Sequence, residues 1–143
     1  MYLEEWKVHT CYSLPPVSIS KEQMFAFAKL YDPIPLHLDE EYAKNTRFAG
    51  LIVPGMMSFA VVWAEFARQD IFGNALVAGK NMRVDWHRPV YVEDILTATA
   101  EVTDVIKRNA YNGMVEITVK AYNQHGDHVF TGMAETIVLC KPQ

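Results

Sequence analysis

Two residues in this sequence have the types and setting for proton transfer. Asp32 and His37 stand at opposite ends of Asp32-Pro-Ile-Pro-Leu-His37, and the two prolines between them stiffen the segment and push Asp32 and Ile34 toward extended conformations. A carboxylate and an imidazole held at fixed separation are a candidate acid/base pair. A third feature follows closely. Pro54-Gly55 opens a helical stretch, and proline at a helix start with glycine beside it leaves the first backbone amides open to an anion or a developing oxyanion. A pair of this kind beside backbone N–H donors has the minimum equipment to add water to a carbon–carbon double bond conjugated to a thioester carbonyl. The alternative for the same residues is structural: Asp32 braces the loop and His37 bonds a backbone carbonyl.

Other polar groups are less well placed. Asp85, His87 and Arg88 form a cluster at a strand end, expected at the surface or at a substrate entrance, and His125 and His128 fall in a turn. Ser58 has no G-x-S-x-G context and is expected to bond a backbone carbonyl. None of the seven glycines falls into a phosphate-loop pattern, and no Cys/His spacing suits a metal. Cys11 and Cys140, near opposite ends, are expected as reduced thiols.

The elements that must hold the pair come next. Gly50 to Gln69 has no charge up to Ala64, and Ser58 is the only polar side chain in that part, so a helix from Pro54 to Gln69 is expected to be buried at its N-terminal end and wet at its C-terminal end, with Gly73 and Asn74 as its exit. It is expected either to carry chemistry at its N-terminus or to be an ordinary core helix. Met56, Met57, Phe59 and Trp63 would line an acyl tunnel or fill the core. Ahead of the pair, Ser20 and Gln23 make a capping box and Ile19 with Met24 a hydrophobic staple; Met24, Phe25, Phe27, Ala28 and Tyr31 then form an apolar stripe on the helix they open. Asp39 is expected to cap a short helix. A first strand is expected from Glu5 to Ser13, broken by Pro15 and Pro16. Leu76–His87, Ile95–Val105, Tyr111–Asn123 and His128–Leu139 are four further strands, expected as an antiparallel meander curved around the central helix.

The chain has 143 residues, half of them hydrophobic and 21% charged, which suits one domain over 1–143. A net charge of −4 gives no basic footprint for nucleic acid. The acidic start MYLEEWKVHT lacks the pattern of a signal peptide, and the longest apolar run is too short for a bilayer, so a cytoplasmic location with no membrane partner is expected.

Asp32-Pro-Ile-Pro-Leu-His37, Ala43, Phe48 and Gly50-Leu-Ile-Val-Pro-Gly-Met56 together resemble the hydratase motif of the MaoC-like dehydratases and (R)-specific enoyl-CoA hydratases. Trp86-His-Arg-Pro-Val90 with Asp94 resembles that family's "f-R-P-V-x-x-G-D" turn, and the likeness runs from about Ser18 to Val105. The resemblance implies an α+β hot-dog fold, an antiparallel sheet around a long central helix, paired as a homodimer. It implies acyl-CoA substrates of fatty acid metabolism, with no separate cofactor or metal. Asp32 and His37 match the catalytic pair, and Gly55 matches the residue whose amide forms the oxyanion hole. The function implied is reversible hydration of a trans-2-enoyl-CoA to a 3-hydroxyacyl-CoA. A non-catalytic acyl-thioester-binding or partner subunit of the same fold, or a hot-dog thioesterase, is the alternative. Ile34 stands where the family usually has Asn or Gln, Pro54 where it often has His or Ser, and Ala60 near the place of a serine found in some members. Lys44, Arg47, Arg83 and Arg88 are candidate contacts for the phosphates of CoA.

Overall fold

A computed structural model describes Met1 to Gln143. Five strands form one antiparallel sheet: β1 (Cys11–Ser18), β2 (Leu76–Trp86), β3 (Ile95–Lys107), β4 (Asn112–Tyr122) and β5 (His128–Leu139). Four helices precede β2: α1 (Lys21–Tyr31), α2 (Pro35–Leu38), α3 (Glu40–Lys44) and α4 (Gly55–Ala67). The sheet curves around α4, which is the hot-dog arrangement expected.

The order across the sheet is β1-β3-β4-β5-β2. Strands β3, β4 and β5 form the meander, joined by short turns at Arg108-Asn109 and Gln124–Asp127. Strand β2 does not join it in sequence order. It crosses the full width of the sheet to pair with β5, Trp86 opposite Phe130 and Leu76 opposite Val138. Residues 87–94 carry the chain from β2 back past β5 and β4 to β3, and Trp86 at the end of β2 meets the start of α4.

The first strand begins later than expected, at Cys11, and runs through Pro15 and Pro16 instead of ending at them. It is an outer strand with a register shift between Leu14 and Val17, and an edge with a bulge is where a sheet tolerates residues that donate no hydrogen bond. Leu3 and Trp6, ahead of it, are core residues.

Local signals set the helices. Ser20 Oγ accepts from the Gln23 amide at 3.1 Å and Gln23 Oε1 accepts from the Ser20 amide at 2.9 Å, closing the expected capping box. Ile19 and Met24 are both buried, as a staple requires. The stripe that follows is narrower than expected, because Tyr31 at the helix exit is 65% exposed. Asp39 caps α3 through the Tyr42 amide at 3.0 Å.

Helix α4 spans 13 residues, on the order of 20 Å. Pro54 is its N-cap instead of its first residue, and the helix stops at Ala67, where the chain turns through Arg68 to Asp70, whose φ is 49°. Its buried face is Met57, Ser58, Phe59, Val62 and Phe66; each large apolar side chain sunk there contributes roughly 1.5–3 kcal/mol. Gly132 on β5 leaves room for the Phe59 ring, which a Cβ would overlap, so the helix lies close on the sheet. Contrary to the expected burial of its N-terminal end, Met56 and Ala60 are exposed.

Candidate active site

The Tyr31–His37 segment is half as extended as its prolines suggest. Asp32 and Ile34 avoid the helical region as residues before proline do, with ψ of 64° and 152°. Pro35 then occupies the first position of α2, where its missing N–H costs nothing, and His37 lies in that single turn. The turn swings the imidazole back over the loop. His37 Nε2 lies 3.2 Å from Asp32 Oδ2, with the imidazole side chain 6% exposed and the carboxylate 30%.

The second ring nitrogen is also held. His37 Nδ1 donates to the carbonyl of Ile52 at 2.7 Å. A carbonyl only accepts, so Nδ1 carries a hydrogen, and Nε2 is the nitrogen that faces the Asp32 carboxylate. Ile52 is fixed in turn by its bridge to Tyr91 and by the adjoining Val53 N–H, which donates to the Val90 carbonyl at 2.7 Å. His37 thus bonds a carbonyl with one nitrogen, as the structural alternative expected, and faces Asp32 with the other.

Helix α4 begins beside this pair. Its first backbone bond runs from the Ser58 N–H to the Pro54 carbonyl at 3.0 Å, so the Gly55, Met56 and Met57 amides have no helical acceptor, and no side chain caps them. Asp32, His37 and Gly55 all line one cavity of about 490 Å³. Leu36, Phe48, Ile52, Val53, Met56 and Val90 supply its apolar wall.

The opposite side comes from Trp86, His87, Arg88 and Pro89. His87 and Arg88 are exposed, as expected of surface residues, and line this cavity. Asp85 faces away and pairs with Arg83, Oδ2 to Nε, at 3.2 Å. His87 Nε2 and His128 Nε2 both lie on Thr131 Oγ1, at 3.0 and 3.1 Å. Of the four candidate phosphate contacts, Arg47 and Arg88 line the cavity, and Arg47 lies 5.0 Å from the Phe48 ring centre. Trp86 stands in the sequence reading only as part of the Trp86–Val90 motif, with no role of its own. Its indole donates to the Gly55 carbonyl at 3.0 Å and packs so closely that a Cβ on Gly55 would sit 2.5 Å from the ring. Of the helix residues read as tunnel or core, Met56 lines the cavity, whereas Met57 and Phe59 are core. Cys11 and Cys140 are both unpaired thiols.

The family described as "FAS1-like, dehydratase domain region" matches residues 15–132. The chain belongs to the MaoC-like dehydratase family. Among its relatives in this family, the uncharacterized protein YdeM of Bacillus subtilis is 28% identical over 139 residues, 96% of this chain and 99% of that one. The (R)-specific enoyl-CoA hydratase of Rhodospirillum rubrum is 29% identical over 111 residues, 77% of this chain and 75% of that one. The solved structure of the monoamine oxidase regulatory protein from Archaeoglobus fulgius superposes with a TM-score of 0.92 at 26% identity, over 99% of this chain and 96% of that one. As for membranes, no helix is long and apolar enough to cross one.

Proposed function

We propose that this MaoC-like protein reversibly hydrates a trans-2-enoyl-CoA to a 3-hydroxyacyl-CoA in the cavity between α2 and the start of α4. The observation that carries the reading is the Asp32–His37 pair at 3.2 Å, opening on the same cavity as the uncapped Gly55 amide. Water held by Asp32 and His37 Nε2 gives its oxygen to the β-carbon. A proton from the pair, or from the same water, goes to the α-carbon. In between, negative charge gathers on the thioester oxygen, where the Gly55 N–H receives it. The elements of water are consumed whole, so the reaction calls on no redox cofactor. Apolar walls lower the local dielectric and strengthen both effects. Arg47 and Arg88 at the cavity suit the phosphates of CoA.

The partner best supported is a second copy. Strand β2 forms an outer edge of the sheet and is exposed over almost its full length, with Leu76, Val77, Met82 and Trp86 each about half exposed. An apolar, unpaired edge of this length calls for cover, and pairing two β2 edges supplies it. Light scattering at micromolar concentration is expected to give twice the chain mass; a monomer contradicts this pairing.

The reaction itself is tested by mixing the protein with crotonyl-CoA and a longer trans-2-enoyl-CoA. Ultraviolet absorbance of the conjugated thioester is expected to fall without release of free thiol. Thiol release points to a thioesterase. Binding with silence in both channels points to an acyl-thioester-binding subunit.

A further inference from the structure

Trp86 makes a contact that neither packing nor the acid/base pair requires. Its ring lies in the cavity wall, yet its Nε1–H is spent on a single acceptor, the Gly55 carbonyl, at 3.0 Å. That carbonyl also accepts from the fully buried Ser58 hydroxyl at 2.7 Å. Two side chains thus converge on one carbonyl within the first turn of α4.

The carbonyl of Gly55 and the N–H of Met56 belong to the same trans peptide plane and point in opposite directions. In a helix the carbonyl points down the axis and the N–H points back toward the open N-terminus. Fixing the Gly55 oxygen therefore fixes the direction of the Met56 N–H, and donation to that oxygen polarises the peptide and strengthens the N–H as a donor. Met56 lines the same cavity, and its amide lacks a helical acceptor. The absence of a Cβ at Gly55 is what lets the indole come this close.

We propose that Trp86, with Ser58, is a positioning residue that aims the Met56 amide as a second oxyanion donor beside that of Gly55. The proposal rests on the hydratase reading above and gives Trp86, in the cavity wall against Gly55, a part in the chemistry. It explains why an exposed tryptophan is anchored through its nitrogen.

Trp86→Phe keeps an aromatic ring at the position, though a smaller one, and removes the N–H; Ser58→Ala removes the other donor with little change in volume. With crotonyl-CoA, each is expected to lower kcat about three- to tenfold, as loss of one neutral hydrogen bond does, with KM changed by less than about twofold. A second readout is independent of turnover. In the Asp32→Asn background, bound cinnamoyl-CoA reports polarisation of its carbonyl by the red shift of its absorbance, and adding Trp86→Phe is expected to shrink that shift. A wild-type kcat in Trp86→Phe, a loss confined to KM, or an unchanged red shift overturns the assignment while leaving the hydratase reading in place. If the unsubstituted chain neither hydrates crotonyl-CoA nor, as Asp32→Asn, shifts the bound chromophore, both fall together.

Discussion

Two imidazoles line the cavity and are held in different ways. His37 is buried, with one nitrogen on the Ile52 carbonyl and the other on Asp32. His87 is exposed, has one nitrogen on Thr131, and lies tilted against His128 with ring centres 4.6 Å apart. Burial and two fixed partners give His37 one orientation and one tautomer, whereas His87 rests on a hydroxyl that can donate or accept. On the proposed function, the difference separates an imidazole set to act from one that only lines the cavity: His37 is fixed through both ring nitrogens, His87 through one.

Substitutions can break that comparison, and the largest effects are expected on the buried side. Asp32→Asn and His37→Ala should each lower turnover of crotonyl-CoA by about 10²–10⁴-fold, the usual range for an acid/base group. Near-full activity in either variant would remove the pair from the mechanism. His87→Gln keeps a hydrogen-bonding group in reach of Thr131 and should change kcat/KM by less than about threefold. A loss in His87→Gln as deep as in His37→Ala would erase the distinction.

A smaller effect sharpens the account of how the exposed wall is built. Asp94 Oδ2 accepts from the Tyr91 amide at 2.9 Å and Oδ1 from the Gln124 side chain at 2.8 Å, bracing the turn that follows Val90. Glu93 in that turn has a φ of 67°, a left-handed conformation that favours glycine, and the family's pattern has glycine there. Glu93→Gly should therefore raise stability by up to about 1 kcal/mol, seen as a higher urea midpoint at unchanged slope. A lower midpoint would mean that the Glu93 side chain holds the turn.

What was legible in the sequence is what short segments decide. The caps at Ser20 and Asp39, the proline-bounded pair and the open helix start at Gly55 depend on neighbours within a few residues, and each stands where its local chemistry puts it. The placement of β2 beyond β5 depends on pairing across the whole sheet, which period-2 alternation cannot order. The partner of His37 Nδ1 is a backbone carbonyl fifteen residues away, and no side-chain pattern announces a carbonyl. Trp86 was illegible for the same reason: it meets Gly55 only because the edge strand returns to the helix start. Pro15 and Pro16 misled because proline breaks an inner strand but not an edge with a bulge.

The central claim is that Asp32 and His37 act as one unit on the attacking water, and a double-mutant cycle on kcat tests it most directly. Groups acting as one unit lose their effect once, so the Asp32→Asn/His37→Ala double variant is expected to be no slower than the slower single variant. Losses that multiply, in variants whose melting temperatures show them folded, would mean that the two groups act separately and would contradict the claim.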